Sequence, residues 1–259
     1  MSVKIKDYSE YLLQAEKKRE GVKAITETVS EITVEQAYKI QLETVGYKLN
    51  QGHKITGKKI GLTSAAMQQL LGVSEPDYGH LFDYMDIKNH SSVPFNRVMQ
   101  PKVEGEVAFV LKEDLIGPDI TSEDVLKATA FVLPALEIVD SRIADWKIKL
   151  ADTIADNASS GLYVLGEKRI NPDKVNLADI EMHLYKNEEL INTGAGADVL
   201  GHPANCVAWL ANKLADYGIS LKAGEVILSG ALSAAVDAKP GDSFRASISE
   251  LGEAAVTFI

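Results

Sequence analysis

The chain has 259 residues, 46% of them hydrophobic and 25% charged, enough for one large core or one core with a smaller attached region. Its formal net charge of −10 and its lack of a dense Lys/Arg stripe exclude nucleic acid as an expected partner, since phosphate binding needs a basic footprint. No run approaches the roughly 18 apolar residues of a membrane span, and "MSVKIKDYSEYLLQAEKKRE" lacks the apolar stretch of a secretion signal, so no membrane contact and a cytoplasmic location are expected.

In chain order, Ser9 to Glu20 forms a first helix whose "EKKRE" stretch is a solvated face of mixed sign. Thr33 opens a second helix with Gln36 three residues on, a capping-box pattern; Ala37, Ile40, Leu42 and Val45 supply its apolar positions and Gly52 ends it. Residues 54–64 read as a strand, followed by a short helix, "SAAMQQLLG", closed by Gly72, and a turn, "EPDYG", containing Asp77. Beyond about residue 90 strands dominate, at 103–111, 131–139, 161–166, 180–186, 225–230 and 244–258. Two helices interrupt them, one after the "TSED" cap at 121–124 and one over 202–218. The second starts near His202 and Pro203, buries Val207, Leu210, Ala211 and Leu214 as its stripe, and ends at Gly218. The single cysteine, Cys206, is expected to be a small buried side chain on this helix and excludes a disulfide framework or a thiolate metal cluster. "GAGAD" (194–198) is no dinucleotide loop, because Val199 replaces the third glycine, and "KPGD" (239–242) is a turn. Strands that do not alternate regularly with helices predict an α+β or mixed-β core, with a mostly helical region over 1–90 and a strand-rich domain over 91–259.

The stretch "QPKVEGEVAFVL" (100–111) is a greasy strand carrying Glu104 and Glu106 two residues apart, hence on one face. "FVLPALEIVDSR" (131–142) repeats the anomaly with Glu137 between Leu136 and Ile138. Buried carboxylates need a cation or a proton. Three of them, without clustered His or Cys, form an all-oxygen set suited to Mg²⁺ or Mn²⁺ that leaves coordination positions for substrate and water. The alternative is a purely structural set of acids in a metal-independent binding module. In "ITGKKIGLT", Lys59 shares a face with Gly57 and Gly61, which leave room beside the ammonium, while Lys58 is the solvated alternative on the opposite face.

At this point "KKIGLTS", "SEPDYGHLFDYM", "QPKVEGEVAFVL", "PALEIVDSRIADWKIKLADTIADNASSGLYVLG", "LGHPANCVAWLANKLADYGISLKAGEVILSG" and "GEAAVTFI" can be taken together. From about residue 33 to the end, the chain resembles the 2-hydroxypenta-2,4-dienoate hydratases, in the hydratase/decarboxylase branch of the fumarylacetoacetate hydrolase superfamily. The resemblance implies an α+β fold, a mixed β-roll preceded by a helical N-terminal region, with Glu104, Glu106 and Glu137 as ligands of Mg²⁺ or Mn²⁺. It selects Lys59 over Lys58 and raises Asp77 from a turn residue to a candidate acid/base partner of Lys59. It places Leu62, Asp156, Asn157, Ser159, Ser229 and Gly230 around the substrate, with the Ser229–Gly230 pair on its carboxylate. Arg142 either supports the metal carboxylates or pairs with Asp140.

The implied substrate is a short 2-hydroxydienoate, the dienol of a 2-oxo acid, chelated through its carboxylate and carbon-2 oxygen. Water adds at carbon 4 to give 4-hydroxy-2-oxopentanoate. "SRIADWKIKLADTIADNAS" resembles the hydratases, whereas "LSGALSAAVDAKPGD" leans toward 4-oxalocrotonate decarboxylase, the alternative on the same scaffold. A dicarboxylate-specific hydratase is disfavoured by the short segment between Arg142 and Asp152. The resemblance further implies a homo-oligomer and association with the partner decarboxylase. Apolar surface on helix 202–218 and on the final "AAVTFI" is expected to serve that assembly.

Overall fold

The computed structural model describes residues 4–64, 68, 69, 73 and 75–259. Helix α1 (Ile5–Lys18) starts ahead of the expected Ser9 and turns Ser9, Leu12 and Ala15 inward. After a single turn, α2 (Ile25–Thr28), the capping box opens α3 (Val34–Asn50). Thr33 Oγ1 accepts from the Gln36 N–H at 3.2 Å, and Gln36 Oε1 accepts from the Thr33 N–H at 3.0 Å. The helix expected over 64–72 falls largely outside the described residues; Gln68 and Gln69, which are described, are helical.

The remaining elements in order are β1 (Ile55–Gly61), β2 (Asp77–Phe82), β3 (Asp86–Ile87), β4 (Ser91–Val93), β5 (Lys102–Leu111), α4 (Ser122–Ala128), β6 (Thr129–Val139) and α5 (Leu150–Ala155). There follow β7 (Ser160–Leu165), β8 (Glu181–Lys186), β9 (Glu189–Ala195), α6 (Pro203–Ala215), β10 (Val226–Leu228), β11 (Val236–Asp237), β12 (Ser243–Ile248) and β13 (Gly252–Phe258). The strands form two mixed sheets. The larger runs β2-β1-β10-β5-β6-β7-β3, with β11 also on β5; the smaller runs β4-β13-β12-β8-β9.

Two expectations need correction. Asp77 is not in a turn but opens β2, a wholly buried strand that pairs with β1. The stretch 244–258 is a hairpin of two strands, β12 and β13, turned at residues 249–251. β1, β2 and β3, from the first ninety residues, lie in one sheet with strands from beyond residue 90.

The two faces of the large sheet differ. Val103, Val107, Phe109, Leu136 and Ile138 belong to the main core, over which the small sheet packs. Gly105 permits that approach: a Cβ there would lie 3.0 Å from Met182 Sδ and 3.2 Å from Ala246 Cβ. On the other face, Ala108, Leu133, Ala135 and Leu228 form a smaller cluster, and the glutamates continue these rows.

Helix α6 forms as expected: His202 Nδ1 accepts from the Ala204 N–H at 3.0 Å, and Cys206 is buried. Its stripe (Val207, Leu210, Ala211, Leu214) and Ala254, Val256 and Phe258 of β13 are all buried within this chain, whereas Ile259, the last residue of the expected apolar stretch, is 65% exposed. Among the described residues, no helix is long and apolar enough to cross a membrane.

Candidate active site

Strand register assembles the site. Glu104 and Glu137 are direct cross-strand partners on β5 and β6, with Glu106 one step along the same face. Like charges directly opposite destabilise an antiparallel pair, so this placement has an energetic cost that calls for a counter-charge. Lys59 on β1 pairs with Leu228, which pairs with Ala108, so period-two alternation puts Lys59 on the glutamate face. Asp77 reaches the same face, because its strand partner is Gly61 and Lys59 lies opposite Gly79. Three strand spacings of about 4.8 Å separate β1 from β6, yet Lys59 Nζ lies 3.3 Å from Glu137 Oε1. The sheet must therefore curl, with these side chains on its concave side.

The flanking glycines divide the work. A Cβ on Gly61 would lie 2.2 Å from Asp77 Oδ1 and 3.4 Å from Lys59 Nζ, so its missing side chain makes room for both groups. A Cβ on Gly57 would lie 1.8 Å from the Val226 carbonyl oxygen; this glycine serves the packing of β1 on β10 rather than a ligand. Lys58 is likewise not solvated. It is 2% exposed and donates to both Glu225 oxygens at 2.7 Å.

The three glutamates bring one carboxylate oxygen each within 4.8 Å of one another. Burial, then repulsion from Glu137, pushes the Glu104 carboxyl up to about 8 despite the Lys59 ammonium. Burial followed by the Glu137 and Glu104 charges raises Glu106, and burial also raises Glu137 and Asp77 against the pull of Lys59. For Lys59, burial pulls the ammonium down, but Glu137, Asp77, Glu104 and Glu106 together outweigh it and hold the group charged.

Hydrogen bonding is incomplete. Glu106 Oε2 accepts from the Gly230 N–H at 2.7 Å, but among the described residues Glu106 Oε1, both Glu137 oxygens and Ser229 Oγ are buried without a hydrogen-bond partner, Glu137 Oε1 meeting Lys59 only as an ion pair. Buried acceptors without donors are rare in folded proteins. A convergent, all-oxygen, acidic set fits a hard divalent cation such as Mg²⁺ or Mn²⁺.

The other expected residues distribute differently. Leu62 follows β1 with φ 57°, next to Thr63, whose Oγ1 would lie 2.2 Å from a Cβ on Gly230. Leu62 and the Ser229–Gly230 pair thus reach one rim of the site, and Gly230 itself, at φ 105°, takes a conformation open to glycine. Ser229 directs its backbone N–H to the Val107 carbonyl. Ser159 Oγ lies 3.3 Å from Thr153 Oγ1, which donates to Asp77 Oδ2 at 3.5 Å. Asn157 is occupied with backbone: its Oδ1 accepts from the His80 N–H at 2.8 Å and its Nδ2 donates to the His80 carbonyl at 2.9 Å. Asp156 is held by Arg142, at 2.5 Å from Nε. Arg142 touches the Asp140 carbonyl, and none of its hydrogen bonds among the described residues reaches Glu104, Glu106 or Glu137. Sequence reading missed Thr153 and the Ala158 carbonyl, which accepts from Lys59 Nζ at 3.1 Å. A backbone acceptor carries no side-chain signal by which it could have been found.

The chain belongs to the fumarylacetoacetate hydrolase family: residues 59–259 match the fumarylacetoacetate (FAA) hydrolase C-terminal domain. It is 49% identical over 217 residues to a 2-hydroxypent-2,4-dienoate hydratase of Pseudomonas putida, covering 83% of this chain and 98% of that one. It is 44% identical over 256 residues to a 2-hydroxyhexa-2,4-dienoate hydratase of Comamonas testosteroni, covering 98% and 97%. The structure of 4-oxalocrotonate decarboxylase from Pseudomonas putida G7, complexed with magnesium and adipate, superposes with a TM-score of 0.96 at 36% identity over 98% of this chain and 97% of that one. The expected α+β fold, a mixed β-roll of this family with helices at its N-terminal side, is the observed one.

Proposed function

We propose that the protein is a divalent-cation-dependent hydratase that adds water to 2-hydroxypenta-2,4-dienoate, giving 4-hydroxy-2-oxopentanoate in the meta-cleavage degradation of aromatic compounds. The observation that carries this reading is the set of unpartnered glutamate oxygens beside Lys59 and Asp77, in a chain 49% identical to a dienoate hydratase. Mg²⁺ or Mn²⁺ held by Glu104, Glu106 and Glu137 would supply Lewis acidity toward the carbon-2 oxygen of a 2-oxo acid.

The first ninety residues contribute Lys59 and Asp77, and the remainder contributes the glutamates. Ser229 Oγ, the Gly230 backbone and Leu62 receive the carboxylate end of the substrate. Lys59 offsets negative charge that grows on the substrate, and it shares with Asp77 the proton transfers of tautomerisation and water addition. Thr153 and Ser159 hold Asp77 in place from behind. The buried site keeps bulk water away from the dienol. A cytoplasmic homo-oligomer, associated with the decarboxylase that forms its substrate, belongs to the same reading. A solution mass near 28.1 kDa by light scattering would contradict the oligomer.

A second reading, decarboxylation of 4-oxalocrotonate, draws support from the likeness to the decarboxylase and from the "LSGALSAAVDAKPGD" segment. One assay separates the two. Purified protein with Mg²⁺ is offered the dienoate and, separately, 4-oxalocrotonate, and the products are identified. Formation of 4-hydroxy-2-oxopentanoate supports the hydratase. Carbon dioxide release from 4-oxalocrotonate without hydration of the dienoate transfers the reading to the decarboxylase, and neither product from metal-loaded protein overturns both.

A further inference from the structure

The roles above leave Arg142 unexplained, although it is buried and its side chain hydrogen-bonds to Asp140, Asp156 and Ser160. Its Nε donates to Asp156 Oδ1 at 2.5 Å, its Nη2 to the Asp156 carbonyl at 2.5 Å, and its Nη1 to the Ser160 carbonyl at 2.8 Å as well as to that of Asp140. Its backbone N–H adds a bond to Asp156 Oδ2 at 2.9 Å. One planar fork therefore grips both ends of the loop Asp156–Ser160, a geometry open to arginine and not to the compact ammonium of lysine.

Between those ends, Asn157, Ala158 and Ser159 take φ of 55°, 50° and 52°. Three consecutive non-glycine residues in the left-handed region persist only where the surroundings over-determine them. Here Arg142 fixes the ends, Asn157 clips the middle to His80, and Ser160 Oγ donates to the Asn157 carbonyl at 2.7 Å. The result of this run is to aim the Ala158 carbonyl at Lys59 Nζ, 3.1 Å away. Glu137 Oε1 lies 3.3 Å from the same nitrogen as an ion pair, so the Ala158 carbonyl is the hydrogen-bond acceptor that orients the ammonium among the described residues.

We infer that Arg142 is a positioning residue for Lys59, acting through the Asp156–Ser160 loop and the Ala158 carbonyl, and not a support for the three glutamates. The inference rests on the reading of Lys59 as a participant in the reaction. In it, a displacement of the loop withdraws the Ala158 acceptor and tilts the ammonium, and misplacement on the scale of 1 Å can cost about a hundredfold in rate.

The test is Arg142→Lys, which keeps the charge and removes the fork, measured three ways on the full chain. Metal-saturated kinetics are expected to show kcat lowered about 10- to 100-fold with KM changed less than about threefold, and the loss is expected to vanish in a Lys59→Met background. Titration with Mn²⁺ alone is expected to give a Kd within about twofold of the parent, because no glutamate loses a partner. Amide hydrogen exchange without substrate is expected to accelerate at residues 157–160 and to remain unchanged at 104–107. An unchanged kcat, a loss that persists without Lys59, or a weakened Mn²⁺ affinity with an unaltered loop would each overturn the inference. If Arg142→Lys does not fold, Asn157→Ala loosens the same loop from β2 and carries the same three expectations. Absence of turnover by the parent protein defeats the proposed function alone. The exchange and Mn²⁺ measurements then decide whether Arg142 holds the loop or the glutamates.

Discussion

Two buried polar clusters meet the Asp156–Ser160 loop, one through Arg142 and one through Lys59. In the first, around Arg142, Asp140 accepts from the Met99 and Gln100 N–H groups at 2.7–3.0 Å, and Asp156 accepts from Arg142 and from Ser141 Oγ. None of these atoms lacks a partner. In the second, around Lys59, four carboxylates (Glu104, Glu106, Glu137 and Asp77) act on one ammonium, and Glu106 Oε1, both Glu137 oxygens and Ser229 Oγ receive no hydrogen bond among the described residues. Both clusters are buried and charged, so burial alone does not mark a functional site. The difference is satisfaction: a cluster whose hydrogen bonds are complete holds the chain in shape, and one left incomplete is shaped for something that arrives later.

The largest expected effect breaks the second cluster. Lys59→Ala removes the cation that faces the glutamates, and steady-state assay at saturating metal should show turnover lowered about a hundredfold or more. Lys58→Ala, one residue away, should reverse the pattern. It strips a buried ion pair and should cost about 2 kcal/mol in urea unfolding, less than the roughly 3–5 kcal/mol of a fully buried pair. The discount arises because Glu225 keeps the Lys222 N–H at 2.9 Å. Turnover per folded molecule should stay within about twofold. If the two lysines exchange phenotypes, the comparison between clusters is wrong.

A smaller effect sharpens the satisfied side. Burial, with Lys58 nearby, holds His80 neutral and pushes its pKa down to about 3, while Gln41 Oε1 lies 3.2 Å from its Nδ1. The unfolded chain takes up the proton near pH 6.5 and the folded one does not, so the stability contributed by neutral His80 is lost as pH falls below about 6.5. Urea unfolding at pH 7.5 and 5.5 should differ by about 1 kcal/mol from this group, and His80→Gln should remove that difference. The smallest effect returns to the glutamates. Glu106→Gln relieves repulsion in metal-free protein and should raise its stability by about 1 kcal/mol, read as a higher urea midpoint.

The incomplete cluster was the more legible of the two in the sequence. Glu104, Glu106 and Glu137 stand out because acids interrupting greasy strands at period two violate the burial pattern, and Thr33 with Gln36 announces its helix by local chemistry alone. Asp77 was misplaced because "EPDYG" carries turn residues, and only pairing with β1 draws it into a strand. The edge strand β9 went unread because it is partly wet on both faces and shows no alternation. Lys58 was assigned to solvent because nothing local signals Glu225, which lies far along the chain. The loop 157–159 was legible as a loop but not as a left-handed run, since Asn, Ala and Ser do not require that conformation and tertiary contacts impose it.

Every role assigned to the second cluster depends on the three glutamates forming a cation site. Calorimetric titration of metal-free protein with Mn²⁺ at pH 6, 7 and 8, in buffers of different ionisation enthalpy, tests it most directly. With Glu104 near 8 and Glu106 and Glu137 also raised, the account predicts one ion per chain, proton release at pH 7 and affinity that strengthens toward pH 8. It further predicts binding weakened about tenfold or more in Glu106→Gln, since a neutral amide is a poorer ligand for a hard ion. No saturable binding, or binding that releases no protons and is indifferent to Glu106→Gln, would contradict it.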